Sequence, residues 1–244
     1  MDAGTANEAT PELEEGELSL AGAATKDVLF LVFMQVPVWL LVMLLVAWPM
    51  KAMGTPLPEI PELMLVMLLT AVIACHYRCR ITATDMALAN AALRRLPTWG
   101  WIVLGVLAME VMDFVVLRVS EWAGQPLVAS NHAPIVEAMG ASPWLAWLSV
   151  CVLGPVAEEL AFRRLLFGRF LRAGRPWLGL VLTSVMFACM HEVPGFSEGP
   201  WWATGLLWIA YLNAGAVFAG LYWRTGTLWA PILAHMAGNA LAMW

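Results

Sequence analysis

Charge is scarce in this chain: Asp, Glu, Lys and Arg make up 13% of its 244 residues, against about 25% in an ordinary soluble domain. Hydrophobic residues make up 61%, more apolar surface than a soluble core of this size needs, so lipid is the expected solvent for most of the chain. The arginines fall in short loops and form no basic stripe, which argues against nucleic acid as a partner. There is no C-x-x-C metal or redox signature. The four cysteines, Cys75, Cys79, Cys151 and Cys189, sit in or beside apolar runs at unrelated spacings and read as small packing residues. A secretory leader is not expected, because the first residues are acidic where a leader is basic.

What is present is a series of long apolar segments. The length allows roughly seven spans of ~20 residues, and candidates lie at 28–48, 60–77, 99–117, 143–166, 177–193, 202–222 and 227–243. The expected fold class is therefore all-α, a polytopic transmembrane helical bundle of about seven spans. Tryptophans gather at the expected span ends, among them Trp48, Trp99, Trp101, Trp122, Trp144, Trp177, Trp201 and Trp223, as in an interfacial belt. Assigning alternate loops puts Lys26 and Arg78, Arg80, Arg94, Arg95, Arg163, Arg164, Arg169, Arg172, Arg175 and Arg224 on one side, with only Lys51 and Arg118 on the other. The positive-inside rule makes the richer side cytoplasmic, with the N-terminus in and the C-terminus out of a cell membrane. Residues 1–25, which include Asp2, Glu8, Glu12, Glu14, Glu15 and Glu17, read as an acidic disordered tail. Residues 26–142 then form N-terminal transmembrane helices, and 143–244 a second transmembrane unit.

A carboxylate or imidazole inside a span costs several kcal/mol unless it is paired or solvated, so each is a functional candidate. The outstanding set is Glu158, Glu159 and Arg163 in the fourth span, His191 in the fifth, and His235 with Asn239 in the seventh. Glu159 and Arg163 are i and i+4, in the favourable order for an ion pair. Glu158 points about 100° away, so one glutamate reads as structural and the other as available. His235 and Asn239 share the i, i+4 spacing, as do Phe187 and His191. Pro155 cannot donate to the carbonyl of Cys151 and should kink the helix there, leaving that carbonyl to hold a water.

Hairpin register joins two of these groups. Glu158 lies sixteen residues before Gly174 and His191 sixteen after Arg175, so around a turn at 173–176 they reach one depth. At ~1.5 Å per residue, Glu158 sits roughly 15 Å into the bilayer. The simplest alternative is that these polar residues only glue helices together. Two adjacent glutamates, an in-register histidine and a His/Asn pair make a site the better reading.

Three motifs carry a resemblance. Glu158-Glu159-Leu160-Ala161-Phe162-Arg163 has the form E-E-x-x-x-R, Phe187-Ala188-Cys189-Met190-His191 the form F-x-x-x-H, and His235-Met236-Ala237-Gly238-Asn239 the form H-x-x-x-N. In this order on separate apolar helices they resemble the CAAX-protease and bacteriocin-processing (CPBP or Abi) family of intramembrane endopeptidases, over about residues 143–244. The resemblance implies hydrolysis of a peptide bond in a membrane-associated protein or peptide, with Glu158 as general base and His191 its partner in holding the attacking water. It makes His235 and Asn239 the oxyanion stabilisers, with Arg163 locking Glu159. No cofactor is expected. Zn²⁺ is the open question, since Glu158, His191 and His235 are possible ligands. H-E-x-x-H is not formed, because position 195 is Gly.

The same residues fit two other readings. A peptide-binding or immunity protein with this fold would keep the helices without needing every motif residue. A proton-coupled transporter would also use buried carboxylates and histidines, but no repeat with paired broken helices is evident. Glu110 and Asp113, i and i+3 in the third span, belong to none of the motifs and suggest a second polar patch. Asn213 reads as structural, with His235 as one possible neighbour. His76 and His132 read as interfacial or exposed. The oligomeric state is not legible.

Overall fold

A computed structural model describes residues 19–31, 33, 44–45, 48–54, 60–125, 127–192 and 200–243. Every regular element among them is helical. Helix α1 covers 19–31, and is followed by α2 (Trp48–Ala52), α3 (Ile60–Cys79), α4 (Ala83–Leu93), α5 (Leu96–Trp122) and α6 (His132–Ala141). Then come α7 (Pro143–Arg172), α8 (Pro176–His191), α9 (Trp201–Thr225) and α10 (Trp229–Ala242). The acidic stretch 1–18 lies outside the described residues, as does most of the expected first span, 28–48. Helix α1 begins at 19, inside the expected tail. Its Ser-Leu-Ala-Gly-Ala-Ala start contains good helix formers, and Thr25 Oγ1 donates back to the carbonyl of Ala21 at 2.9 Å.

Among the described residues, three helices are both long and apolar enough to cross a membrane: Pro61–Cys79, Pro143–Arg172 and Trp201–Thr225. The expected count of seven is not confirmed: the expected first span lies mostly outside the described residues, and three other elements fall short in charge or length. The 27 residues of α5 have sufficient length but carry Glu110, Asp113, Arg118 and Glu121. The apolar helix α8 has 16 residues and α10 only 14.

Helix α7 is the centre of the bundle. Buried fractions of its apolar window and those of α3 and α9 are 56%, 11% and 22%, so α7 is wrapped by protein while the other two face outward. Leu160, Phe162, Leu165 and Leu166 of α7 pack with Cys75 of α3, Ile102 and Met109 of α5, Phe187 of α8, Phe218 and Leu221 of α9, and Ala230 and Ala234 of α10. Large apolar side chains such as Leu69, Val103, Leu107, Val111, Phe114, Val181 and Ile209 are exposed on the outside, as expected of a lipid-facing surface. At one end Trp177 packs edge-on against Trp223 with ring centres 5.1 Å apart, and Arg224 lies 5.0 Å over Trp101. Such aromatic–basic contacts suit a membrane interface.

Local chemistry sets the turns. Thr82 and Asp85 form a reciprocal capping box at the start of α4. The two bonds from Thr82 hold the Asp85 carboxyl below its usual range, with Arg164 a smaller contributor. Arg164 Nη2 also lies 2.9 Å from Asp85 Oδ1, tying α4 to α7. Gly174 has φ +70°, and it is this left-handed residue that lets α7 reverse into α8 within four residues. Asp27 of α1 is fully buried and is bonded by both Arg78 of α3 and Arg169 of α7. Those three helix ends therefore share one end of the bundle, where the sequence had placed the positive charge.

Helices α8 and α9 approach so closely that a Cβ on Gly215 would stand 2.8 Å from the Cα of Ser184. Close small-residue contacts of this kind drive helix packing in lipid. Gly215→Ala is expected to lower the stability of the detergent-solubilised protein by about 1–3 kcal/mol. Gly220→Ala, which would meet nothing within 4 Å, is the matched control, and thermal unfolding of the two variants is the measurement.

Candidate active site

The buried pair in α7 comes first, because the other groups are arranged around it. Arg163 and Glu159 are both 0% exposed, with Arg163 Nε 3.1 Å from Glu159 Oε2. The approach is off-line, and neither atom counts as hydrogen-bonded. Three rings enclose the guanidinium: Phe162, Phe187 and Phe218 lie 5.5, 5.0 and 5.1 Å from it. Its Nη2 donates to the carbonyl of Gly215 at 3.1 Å. Phe187 of the second motif is thus part of an aromatic box around the charge. Glu159 uses its other oxygen on His235, whose Nδ1 is 3.0 Å away.

Glu158 faces a different space. It is partly exposed, and the Nε2 atoms of His191 and His235 lie 3.5 and 3.9 Å from its Oε2. These separations exceed a direct hydrogen bond, leaving the carboxylate oxygen facing two imidazole nitrogens. The far side of each ring is fixed. His191 Nδ1 is 2.8 Å from the carbonyl of Phe187, which can only accept, so Nδ1 carries the proton. A neutral His191 then presents a lone pair at Nε2. His235 donates from Nδ1 to the Glu159 carboxylate, so an N–H at its Nε2 requires the imidazolium. The rings are also held by packing: Phe218 stacks on His235 at 4.5 Å and Tyr211 lies against His191 at 4.7 Å.

The effect of Pro155 differs from the expectation. Helix α7 runs unbroken through this point, from Pro143 to Arg172. It widens into π-helical turns over Ser149–Leu153, resumes α geometry over Gly154–Glu159, and widens again over Leu160–Phe167. In a π turn the donor bonds five residues back, as Gly154 N–H does to Ser149 O. The carbonyl that Pro155 deprives in this register is that of Val150, one residue before Cys151. It is taken by the Asn239 side chain, whose Nδ2 donates to it at 2.8 Å, rather than left for water. One amide proton of Asn239 is therefore spent on holding α7 to α10, and one remains.

All the motif residues, Glu158, Glu159, Arg163, Phe187, His191, His235 and Asn239, thus meet in one place between α7, α8, α9 and α10. His76 and His132 are exposed. Asn213 does not bond His235; its Nδ2 donates to the carbonyl of Ala108 at 3.3 Å. On α5, Ile102, Gly105, Met109, Val116 and Ser120 are buried, and Asp113 occupies the same stripe but is open.

Sequence reasoning missed Tyr211, Glu192 and Asp27. Tyr211 belongs to no motif and is visible only once α8 and α9 are packed. Glu192 stood beside His191 in plain sight, but was considered only as part of a metal motif that position 195 breaks. Among the described residues no group of three His, Cys, Asp or Glu side chains is disposed to hold a metal ion.

Removing one partner of a buried ion pair strands the other. Arg163→Ala is expected to cost about 3–5 kcal/mol of stability. The double variant Glu159→Gln/Arg163→Met, which strands no charge, should recover most of it by thermal unfolding without recovering function, since His235 then loses its carboxylate.

Residues 140–241 match the family model described as Type II CAAX prenyl endopeptidase Rce1-like. No curated protein and no solved structure matches the chain. The matched stretch opens at the end of α6, just before the helix that carries Glu158, and closes in the helix that carries Asn239. Over that stretch the chain is similar to the Rce1-like CAAX prenyl endopeptidases.

Proposed function

We propose that the protein is an intramembrane endopeptidase in which Glu158 activates water to cleave a peptide bond of a membrane-associated protein or peptide. One observation carries this reading: the Nε2 atoms of His191 and His235 converge on Glu158 Oε2, while the neighbouring Glu159 is occupied by Arg163 and His235. One carboxylate is free for chemistry, and the other fixes the scaffold.

A water between Glu158 and His191 donates one proton to the carboxylate and the other to His191 Nε2. Both its protons are then held, and a lone pair is free to face a substrate carbonyl. Glu158 takes a proton as the water oxygen bonds to the carbonyl carbon, and the π electrons move onto the carbonyl oxygen. The imidazolium of His235, donating from Nε2, and the remaining amide proton of Asn239 are the donors for that oxyanion. Such fixed donors act strongly where water is excluded. Collapse of the tetrahedral intermediate restores the carbonyl and breaks the C–N bond. The proton held by Glu158 passes to the leaving amine, which regenerates the base. No step requires a metal.

Substrates carrying a prenyl group are favoured by the description of the matched family. Seven passes with the basic end in the cytoplasm remain the proposed topology. Its support is the pairing of Asp27 with Arg78 and Arg169, which gathers the ends of α1, α3 and α7.

Purified protein in detergent is expected to cleave fluorogenic peptides, prenylated ones faster than plain ones. Glu158→Gln should lower kcat by about 10²- to 10⁴-fold, the usual contribution of a general base. Equal cleavage by wild type and Glu158→Gln would sink the assignment. Loss of cleavage with a strong chelator, restored by Zn²⁺, would turn His191 and His235 from hydrogen-bonding groups into metal ligands.

A further inference from the structure

Helix α8 ends at His191 with no glycine cap, and the carbonyls around its last turn are taken one by one. Glu192 N–H donates to Ala188 O at 2.9 Å, and His191 Nδ1–H to Phe187 O at 2.8 Å. The Ser130 hydroxyl donates to His191 O at 2.9 Å, and the Trp208 indole N–H to Glu192 O at 2.9 Å. In return, Glu192 Oε2 accepts the backbone N–H of Ser130 at 3.1 Å. The turn before α6 and the end of α8 are therefore clasped in both directions, directly behind the imidazole that faces Glu158.

Glu192 is a costly residue for this purpose. Its side chain is fully buried, and Oε1 has no hydrogen-bond partner among the described residues. A buried carboxylate that gains one backbone amide recovers less than its desolvation, so fold stability alone does not explain it. Tyr211 and Phe187 both pack against the His191 ring, with ring centres 4.7 and 4.2 Å away.

We propose that Glu192 is a positioning residue for the reaction. With Ser130 it locks the end of α8 so that His191 keeps Nε2 turned towards Glu158. The inference rests on reading Glu158 and His191 as the water-holding pair. It also means that residue 130, outside the matched stretch 140–241, helps to build the site.

The variants that test this are Glu192→Ala, Glu192→Gln and Ser130→Ala, alongside wild type and Glu158→Gln. Gln keeps an oxygen to accept the Ser130 N–H and should retain kcat within about threefold. Ala removes the acceptor and should lower kcat on the order of 10²-fold, the scale of a misplaced catalytic group, with KM within about twofold. Ser130→Ala, which loses only the hydroxyl bond, should lower kcat about tenfold, and serves if Glu192→Ala does not fold. ¹⁵N NMR of histidine-labelled protein reads the geometry without turnover: His191 should show the Nδ1–H tautomer, and the substitutions at 192 and 130 should shift its resonances while leaving those of His235 in place. Unchanged His191 resonances and unchanged kcat would overturn the inference, as would equal losses in Glu192→Gln and Glu192→Ala. Absent wild-type cleavage, or full cleavage by Glu158→Gln, would instead count against the proposed function. The His191 spectrum would still decide the positioning role.

Discussion

A guanidinium cut off from water must be surrounded by something, and at Arg163 the surroundings come from two other helices and from its own neighbours Phe162 and Glu159. Phe187 of α8, Phe218 of α9 and the carbonyl of Gly215 enclose it, and Glu159 neutralises it. The constraint propagates outward. Gly215 must be small because its helix lies against Ser184, and Phe187 and Phe218 then border His235 as well. Glu159 supplies its second oxygen to His235. A charge that is expensive to bury is thus the feature that registers α7, α8, α9 and α10 against one another.

The two glutamates are adjacent in sequence and opposite in circumstance because a helix turns about 100° per residue. Glu159 is closed in by an arginine, an imidazole and rings. Glu158, one residue earlier, looks into a gap with two nitrogens facing it. The same division recurs in the histidines, each of which spends Nδ1 on the scaffold and leaves Nε2 towards Glu158. Orientation of a reactive nitrogen by the bond its other nitrogen makes is a general way of fixing an imidazole.

Much of this site was legible beforehand. The i, i+4 relation of Glu159 and Arg163 anticipated their pairing, and counting residues around the Gly174 turn anticipated that Glu158 and His191 meet. Those inferences worked because they depend on local geometry and helix rise alone. The role of Pro155 was misjudged by one residue, because an α-helical register was assumed where π turns occur. Asp27, Tyr211 and Glu192 were overlooked for a different reason: each acquires its meaning from a residue far away in the chain, and no local spacing encodes that. The span count, too, depended on length and hydropathy in segments such as α5, whose charges and length pull in opposite directions.

The π turns have a consequence for how this region tolerates change in length. A π turn uses one more residue than an α turn over a comparable rise, so it behaves as a single-residue insertion that the helix has absorbed. Deleting one residue from 149–153 would let the backbone revert to α bonding with no gap. It would also change the angular relation between the stretch that begins at Pro143 and the stretch that carries the paired glutamates. Substitution within this segment is a question of packing. A change of length by one residue turns the helix like a key, and only one setting leaves Glu158 facing the two imidazoles.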